Sequence, residues 1–457
     1  MNKTKIGFIS LGCPKNRVDT EIMLHHLADA GYEIVGEDVE ADVIIVNTCA
    51  FIRSAKEESI DNILDAAYLK KHGKLKGIIV CGCMAERYRS EIFESFPDEV
   101  DAVVGTGSIH DIVAAVKAVE TGGKGYCAYG SMSELDLDGE RIVTTAPHTA
   151  YIKISEGCDN RCTYCAIPYI RGPFRSRTVE SVVAEAKDLE KIGVKELILI
   201  AQDTTRYGED IYGEYSLVRL IREICAQTAI PWLRLLYCYP DKITGELVAE
   251  LRDNPRLLKY IDIPIQHISE PVLKRMNRRG GAEAVRRSIA ALRENVPDII
   301  IRTTLISGFP GETEEDFEEL CEYVAETKFD RLGVFPYSRE EGTPAYSMPD
   351  QVDEQVKQDR ADAIMRIQAD ITAAKNAAKI GRTYKVICEG YDVVAETWYG
   401  RSYMDAPDID GLIFFSSEKK LAEGELVDVT ITDADDYDLF GRAAGCRSRM
   451  TDEQNND

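Results

Sequence analysis

Short apolar runs alternate with helix-period stretches twice over along this chain, and that alternation narrows the fold before any single residue is weighed. In the first ~120 residues KIGFISLGC, ADVIIVNTC and KGIIVCGC read as strands, with VDTEIMLHHLADAG and the Lys56–Leu69 region as helices between them. Strands joined through helices form a parallel sheet with right-handed crossovers, so the C-terminal ends of all three strands share one edge. Each strand ends on a cysteine, Cys13, Cys49 or Cys83. Open α/β sheets bind ligands along that edge. One convergent thiol set is therefore expected, with three separately buried cysteines as the plainer reading. Cys81 lies inside its apolar run and is expected to be a small buried hydrophobe.

From Tyr151 the alternation resumes with six strands: Tyr151–Ser155, ELILIAQD, WLRLLY, YIDIPIQ, DIIIRTTLISGF and RLGVFPYS. Six such units predict an open or partial α/β barrel with its chemistry at the strand C-termini. After the first of these strands comes SEGCDNRCTYCAIPYIRG, in which Cys158, Cys162 and Cys165 are spaced Cys-x3-Cys-x2-Cys. Structural zinc closes its coordination shell, and a 4Fe-4S cluster normally takes four Cys. Three thiolates without a local fourth would leave one iron open to a ligand. A zinc knuckle or an accidental Cys trio is the alternative.

These patterns divide the 457 residues into an N-terminal domain (3–120), a polar, Gly-rich linker (121–143), the partial barrel (144–374), a small five-stranded barrel (377–446) and a polar, disordered tail (447–457). The last barrel is read from TYKVICEG, DVVAETW, LIFFSS and LVDVTITDADD and has an oligonucleotide-binding shape. The fold class expected is α/β with a C-terminal β-barrel. A formal charge of -24 disfavours phosphate backbones and favours basic partners. Acid is dense in the small barrel, at Glu389, Asp405, Asp410, Asp433, Asp435, Asp436 and Asp438 among others. No run approaches the ~18 to 20 apolar residues of a membrane span, and the N-terminus lacks signal-peptide form, so a cytoplasmic protein is expected. In a reducing compartment, grouped cysteines point to metal chemistry.

SLGCPKN (Ser10–Asn16), NTCAF (Asn47–Phe51), GCMAERY (Gly82–Tyr88), SEGCDNRCTYCAIP and GFPGET (Gly308–Thr313) follow one another here. In content and order they resemble the blocks of the methylthiotransferase family of radical S-adenosylmethionine (SAM) enzymes, over nearly the whole chain. The resemblance implies two 4Fe-4S clusters, a SAM-binding one on Cys158, Cys162 and Cys165 and an auxiliary one on Cys13, Cys49 and Cys83. It also implies that the C-terminal barrel is the module called TRAM. One SAM would donate methyl to sulfur and another would be cleaved to a deoxyadenosyl radical that attacks a C–H bond. SLGCPKNRVD, AQDTTRYG, IPIQH and the acidic module resemble the branch that methylthiolates the β-carbon of an aspartate in ribosomal protein S-twelve of the small subunit. That substrate is basic, which suits an acidic module. Implied further partners are a flavodoxin-type electron donor and a sulfur carrier. The alternatives are a tRNA methylthiotransferase acting on isopentenyladenosine and a non-catalytic iron-sulfur carrier or sensor.

Barrel geometry alone nominates Gln202, Asp203, Gln266 and Arg302 as SAM contacts, against the commoner roles of helix cap and loop residue. His267 is not expected to be catalytic, because hydrogen-atom abstraction needs no base. The basic run KRMNRRGG (Lys274–Gly281) reads either as a solvated helix end or as a surface facing ribosomal RNA.

Overall fold

The computed structural model describes residues 3–36 and 38–444. The first sheet contains β1 (Lys5–Ser10), β2 (Glu33–Val35), β3 (Val43–Thr48), β4 (Gly77–Gly82), β5 (Ala102–Val104) and β6 (Tyr126–Ala128). All are parallel, in the order β2-β1-β3-β4-β5-β6. β3 and β4 are buried along their whole length, so they read as unbroken apolar runs. Alternate side chains serve opposite faces. Val43 and Ile45 cluster with Val18, Ile22 and Leu27 of the helix Pro14–Asp29, while Ile44 and Val46 cluster with Ile63 and Ala66 of the helix Arg53–His72. Strand order reverses between β1 and β3, and the crevice outside their C-terminal ends is where such sheets take ligands. β2, β5 and β6 have three residues each, too few to show a period in sequence. β6 corrects the reading of 121–143 as linker, because it pairs with β5 as an edge strand of this sheet.

The second sheet contains β7 (Thr149–Lys153), β10 (Glu196–Ile200), β11 (Trp232–Leu235), β12 (Leu257–Asp262), β13 (Ile300–Ser307) and β14 (Arg331–Pro336). They lie side by side in chain order, all parallel, as an open six-stranded wall. Between β7 and β10 a two-residue ribbon, β8 (Ser155–Glu156) with β9 (Arg175–Ser176), closes the neck of the loop that carries the Cys-x3-Cys-x2-Cys spacing.

A helix, Glu354–Ala377, leads to β15 (Thr383–Asp392), β16 (Thr397–Ser402), β17 (Ile413–Ser416), β18 (Leu426–Ala434) and β19 (Leu439–Ala443). These close into a barrel in the order β15-β16-β17-β19-β18. DVVAETW, expected as one strand, spans the end of β15, a tip at 393–396 and the start of β16; at the tip Val393 and Val394 are apolar yet 78% and 94% exposed. Cys446 and the tail lie outside the described residues.

One core runs through the three parts. Tyr151, Ile198 and Tyr260 on the concave face of the wall cluster with Val18 and Ile22 from the first part and with Met404, Phe415 and Leu439 from the closed barrel. Asp405 bonds Arg331 at 2.6 Å, and Asp410 accepts from Tyr260 Oη at 2.6 Å. These two acids therefore face inward and are not part of an outer acidic surface. Among the described residues no helix is long and apolar enough to cross a membrane.

Candidate metal centres

Cys13, Cys49 and Cys83 follow β1, β3 and β4, so the topology brings thiols far apart in sequence to one sheet edge. Cys49 and Cys83 are buried and Cys13 is half-buried. Side-chain amides and a hydroxyl lace the three loops together. Asn47 Nδ2 donates to Asn16 O at 2.9 Å and to Thr20 Oγ1 at 2.8 Å, while Asn16 Nδ2 donates to Leu11 O at 2.7 Å. Thr48 Oγ1 donates to Cys81 O and accepts from the Met84 amide at 3.3 Å. Before Cys83 the chain turns through Gly82 at φ 87°, where an added Cβ would stand 2.1 Å from Asn47 Oδ1. Only glycine fits that turn. Cys81 is fully buried in the sheet core.

Cys158, Cys162 and Cys165 lie in the loop above the β8–β9 neck. Gly157 opens the loop at φ 80°, with Pro173 O 2.0 Å from any Cβ placed there. The Cys158 amide donates to Gly172 O at 3.2 Å and the Cys165 amide to Cys162 O at 3.0 Å. Part of the basic run reaches this loop, with Arg278 buried while Lys274, Arg275, Asn277 and Arg279 stay exposed. Asn277 donates to Arg161 O at 3.0 Å and Arg279 to Asp159 O at 3.1 Å, while buried Arg278 sits 3.9 Å over the Tyr239 ring. Arg278 Nη1 and Tyr239 Oη stand 3.9 and 3.7 Å from Cys162 Sγ. Long-range contacts of this kind are invisible in the run's composition.

The donor chemistry fits the clusters that the sequence implies. Each site offers three soft thiols. Burial pushes Cys49 and Cys158 up to about 12 as free thiols, so a metal's charge is what would hold thiolates here. A cubane cluster is wider than one ion and spreads its ligands. Among the described residues, no three His, Cys, Asp or Glu side chains converge to hold a single ion.

Between the trios lies a buried ionic cluster that sequence reasoning missed. Lys153 Nζ is 2.6 Å from both Asp19 Oδ1 and Glu156 Oε2, and Arg171 bonds the same two carboxylates. Burial alone would raise the Glu156 carboxyl, but Lys153 and Arg171 overcome it and hold it down at about 2. Glu156 and Arg171 flank the cysteine motif in sequence, yet nothing local names their partners. Lys15, two residues after Cys13, is buried with its ammonium 3.0 Å from the centre of the Tyr237 ring.

Of the four nominated SAM contacts, Gln202, Asp203 and Gln266 follow the C-terminal ends of β10 and β12, whereas Arg302 is the third residue of β13 and lies toward that strand's start. Gln202 donates to Glu156. Asp203 is 1% exposed and accepts from Asn160 at 2.7 Å and Thr205 at 2.6 Å, while burial pushes its carboxyl up. Gln266 is half-buried at φ 72° and bridges to Leu305. Arg302 bonds Asp262 at 2.9 Å and lies 3.8 Å from Asp410 of the closed barrel. His267 is fully buried, 3.6 Å from Glu312.

Residues 152–324 match the model of the radical SAM superfamily, residues 5–105 that of "Uncharacterized protein family UPF0004", and residues 380–444 that of the TRAM domain. The ribosomal protein uS12 methylthiotransferase RimO of Acetivibrio thermocellus is 49% identical over 447 residues, 96% of this chain and 98% of that protein. Its namesake from Pelotomaculum thermopropionicum is 50% identical over 96% and 98% of the two chains. The chain belongs to the uS12 methylthiotransferase family. Cys13, Cys49 and Cys83 fall within the matched residues 5–105, and Cys158, Cys162 and Cys165 within the matched residues 152–324. Among solved structures, the radical SAM methyltransferase TsrM of Kitasatospora setae superposes with a TM-score of 0.56 at 16% identity, over 75% of this chain and 77% of that one. At such identity the likeness is one of fold.

Proposed function

We propose that this chain is a radical SAM methylthiotransferase acting in the cytoplasm on ribosomal protein uS12, at the β-carbon of an aspartate. The observation that carries the reading is identity near 49% along almost the full length of proteins named for that activity. Cys158, Cys162 and Cys165 would hold the SAM-binding 4Fe-4S cluster, and Cys13, Cys49 and Cys83 the auxiliary one. When bound, these groups and SAM supply an electron, a carbon-centred radical and the sulfur to be transferred.

The protein's own contribution is placement and exclusion of water. Arg278 and Tyr239 cover Cys162, and a radical shielded from solvent survives to meet its substrate. Asp19 and Lys153 join the helix after Cys13 to the strand before the second cysteine loop, which fixes the spacing of the two sites. Asp433, Asp435 and Asp436 are exposed on the closed barrel and suit a basic protein better than tRNA. A flavodoxin-type electron donor and a sulfur carrier would complete the reaction.

The test is to incubate reconstituted enzyme with SAM and a reductant, offering uS12 and tRNA in separate reactions. One methylthio group added to uS12, with deoxyadenosine released, is the expected result. Methylthio mass on tRNA and none on uS12 would overturn the substrate, and no deoxyadenosine would overturn the chemistry.

A further inference from the structure

Arg171 ends the loop that carries Cys158, Cys162 and Cys165, but its side chain crosses to the other trio. Nη2 donates to Cys83 Sγ at 3.3 Å and to Asn16 Oδ1 at 3.0 Å, while Nη1 bonds Asp19 and Glu156. The guanidinium is 2% exposed. The next residue, Gly172, accepts the Cys158 amide at 3.2 Å. Arg171 therefore contacts a candidate ligand of one cluster through its side chain and braces the other cluster's loop through its backbone neighbour.

Formal charges balance around it, with Asp19 and Glu156 set against Lys153 and Arg171. A buried cation could be satisfied by the carboxylates alone. The N–H aimed at sulfur is an addition to that pairing. Hydrogen bonds to ligand sulfur and nearby net charge set the potential of an iron-sulfur cluster. A cation and an N–H favour the more negative, reduced form.

We propose that Arg171 is a positioning residue that raises the reduction potential of the cluster on Cys13, Cys49 and Cys83 and ties that cluster to the radical SAM loop. This rests on the two-cluster reading above. The sign follows from the local charges. Loss of Arg171 leaves Asp19 and Glu156 opposed by Lys153 alone, and the potential falls. Loss of the Asp19 charge leaves an excess of cation, and the potential rises.

The experiment uses full-length reconstituted protein in which Cys158, Cys162 and Cys165 are changed to Ala, so that only the other cluster is read. EPR-monitored redox titration compares this parent with Arg171→Gln, Arg171→Lys and Asp19→Asn added to it. A tenfold fall in the reduction equilibrium constant, 59 mV for one electron, is expected for Arg171→Gln, a smaller fall for Arg171→Lys and a rise for Asp19→Asn. A residue that merely supports packing would not send Arg171→Gln and Asp19→Asn in opposite directions. Unchanged potentials, or shifts of one sign in both, overturn the proposal. Where Arg171→Gln fails to fold, the opposed signs of Arg171→Lys and Asp19→Asn decide. A folded parent without iron overturns the two-cluster reading itself, an outcome distinct from an unmoved potential.

Discussion

Arg401 of the closed barrel meets Glu196 at the start of β10 at 2.7 Å, and neither side chain is more than 1% exposed. Arg234 bonds the same carboxylate at 2.7 Å, and Glu389 bonds Arg401 at 2.6 Å. Removing Arg401 leaves the Glu196 and Glu389 carboxylates with one buried guanidinium fewer between them, and breaking a buried pair in this way costs ~3–5 kcal/mol. Arg401→Met is expected to lose that much in urea unfolding. Glu389→Gln, whose side chain is 19% exposed, should cost only about 1 kcal/mol. Equal losses would place the interface energy elsewhere.

Iron content tests the assignment of the thiols. Two 4Fe-4S clusters correspond to ~8 iron atoms per chain, and replacing Cys13, Cys49 and Cys83 by Ala should leave about half. Replacing Cys81 should leave iron unchanged, since it lies in the sheet core. Equal iron in the triple variant and the parent would mean a single cluster.

Gly157→Ala would drive a methyl group against Pro173 O, 2.0 Å away, at a φ of 80°. The neighbouring β8–β9 neck cannot yield without losing its pairing. Backbone strain of ~1–3 kcal/mol adds to the clash. The expected outcome is loss of the iron held by the second trio with the first trio's iron retained, read by iron analysis of the variant.

Lys379 is half-buried beside Arg331, and burial first, then that guanidinium, brings its ammonium down to about 8. Below pH 8 the lysine is charged both folded and unfolded, and the penalty is fully present. Between pH 8 and 10.5 the folded form sheds its proton first, so stability rises with pH by ~1 kcal/mol after solvent screening. Lys379→Met should lack that slope when melting is followed from pH 7 to 10.5, and parallel curves would refute the assignment.

The acidic residues of the closed barrel divide into two groups with different expected phenotypes. Asp433→Lys, Asp435→Lys and Asp436→Lys together change exposed positions and should slow association with uS12 about tenfold at low salt, with little loss of stability. Asp405→Asn breaks a buried pair with Arg331 and should instead destabilise by ~3 kcal/mol. Surface plasmon resonance with denaturant curves separates the two effects, and an unchanged on-rate in the triple variant would place docking elsewhere.

The sequence by itself determined the six parallel strands of the wall and the closed barrel, because buried strands are written as apolar runs and crossovers as helix-period stretches. It also determined the placement of Cys13, Cys49 and Cys83, since a parallel sheet sends every strand end to one edge. Strands of three residues left no period, and Val393 and Val394 mimicked a strand at an exposed turn. Only the tertiary structure decided what Arg171, Arg278 and Asp405 do. Each is a charged side chain whose role depends on partners distant in sequence: Cys83 for Arg171, Tyr239 and Cys162 for Arg278, Arg331 for Asp405. Charge patterning reads such residues as solvated because that is where isolated charges belong. Burial reverses the reading, since a charge removed from water persists only where the fold supplies its counter-charge.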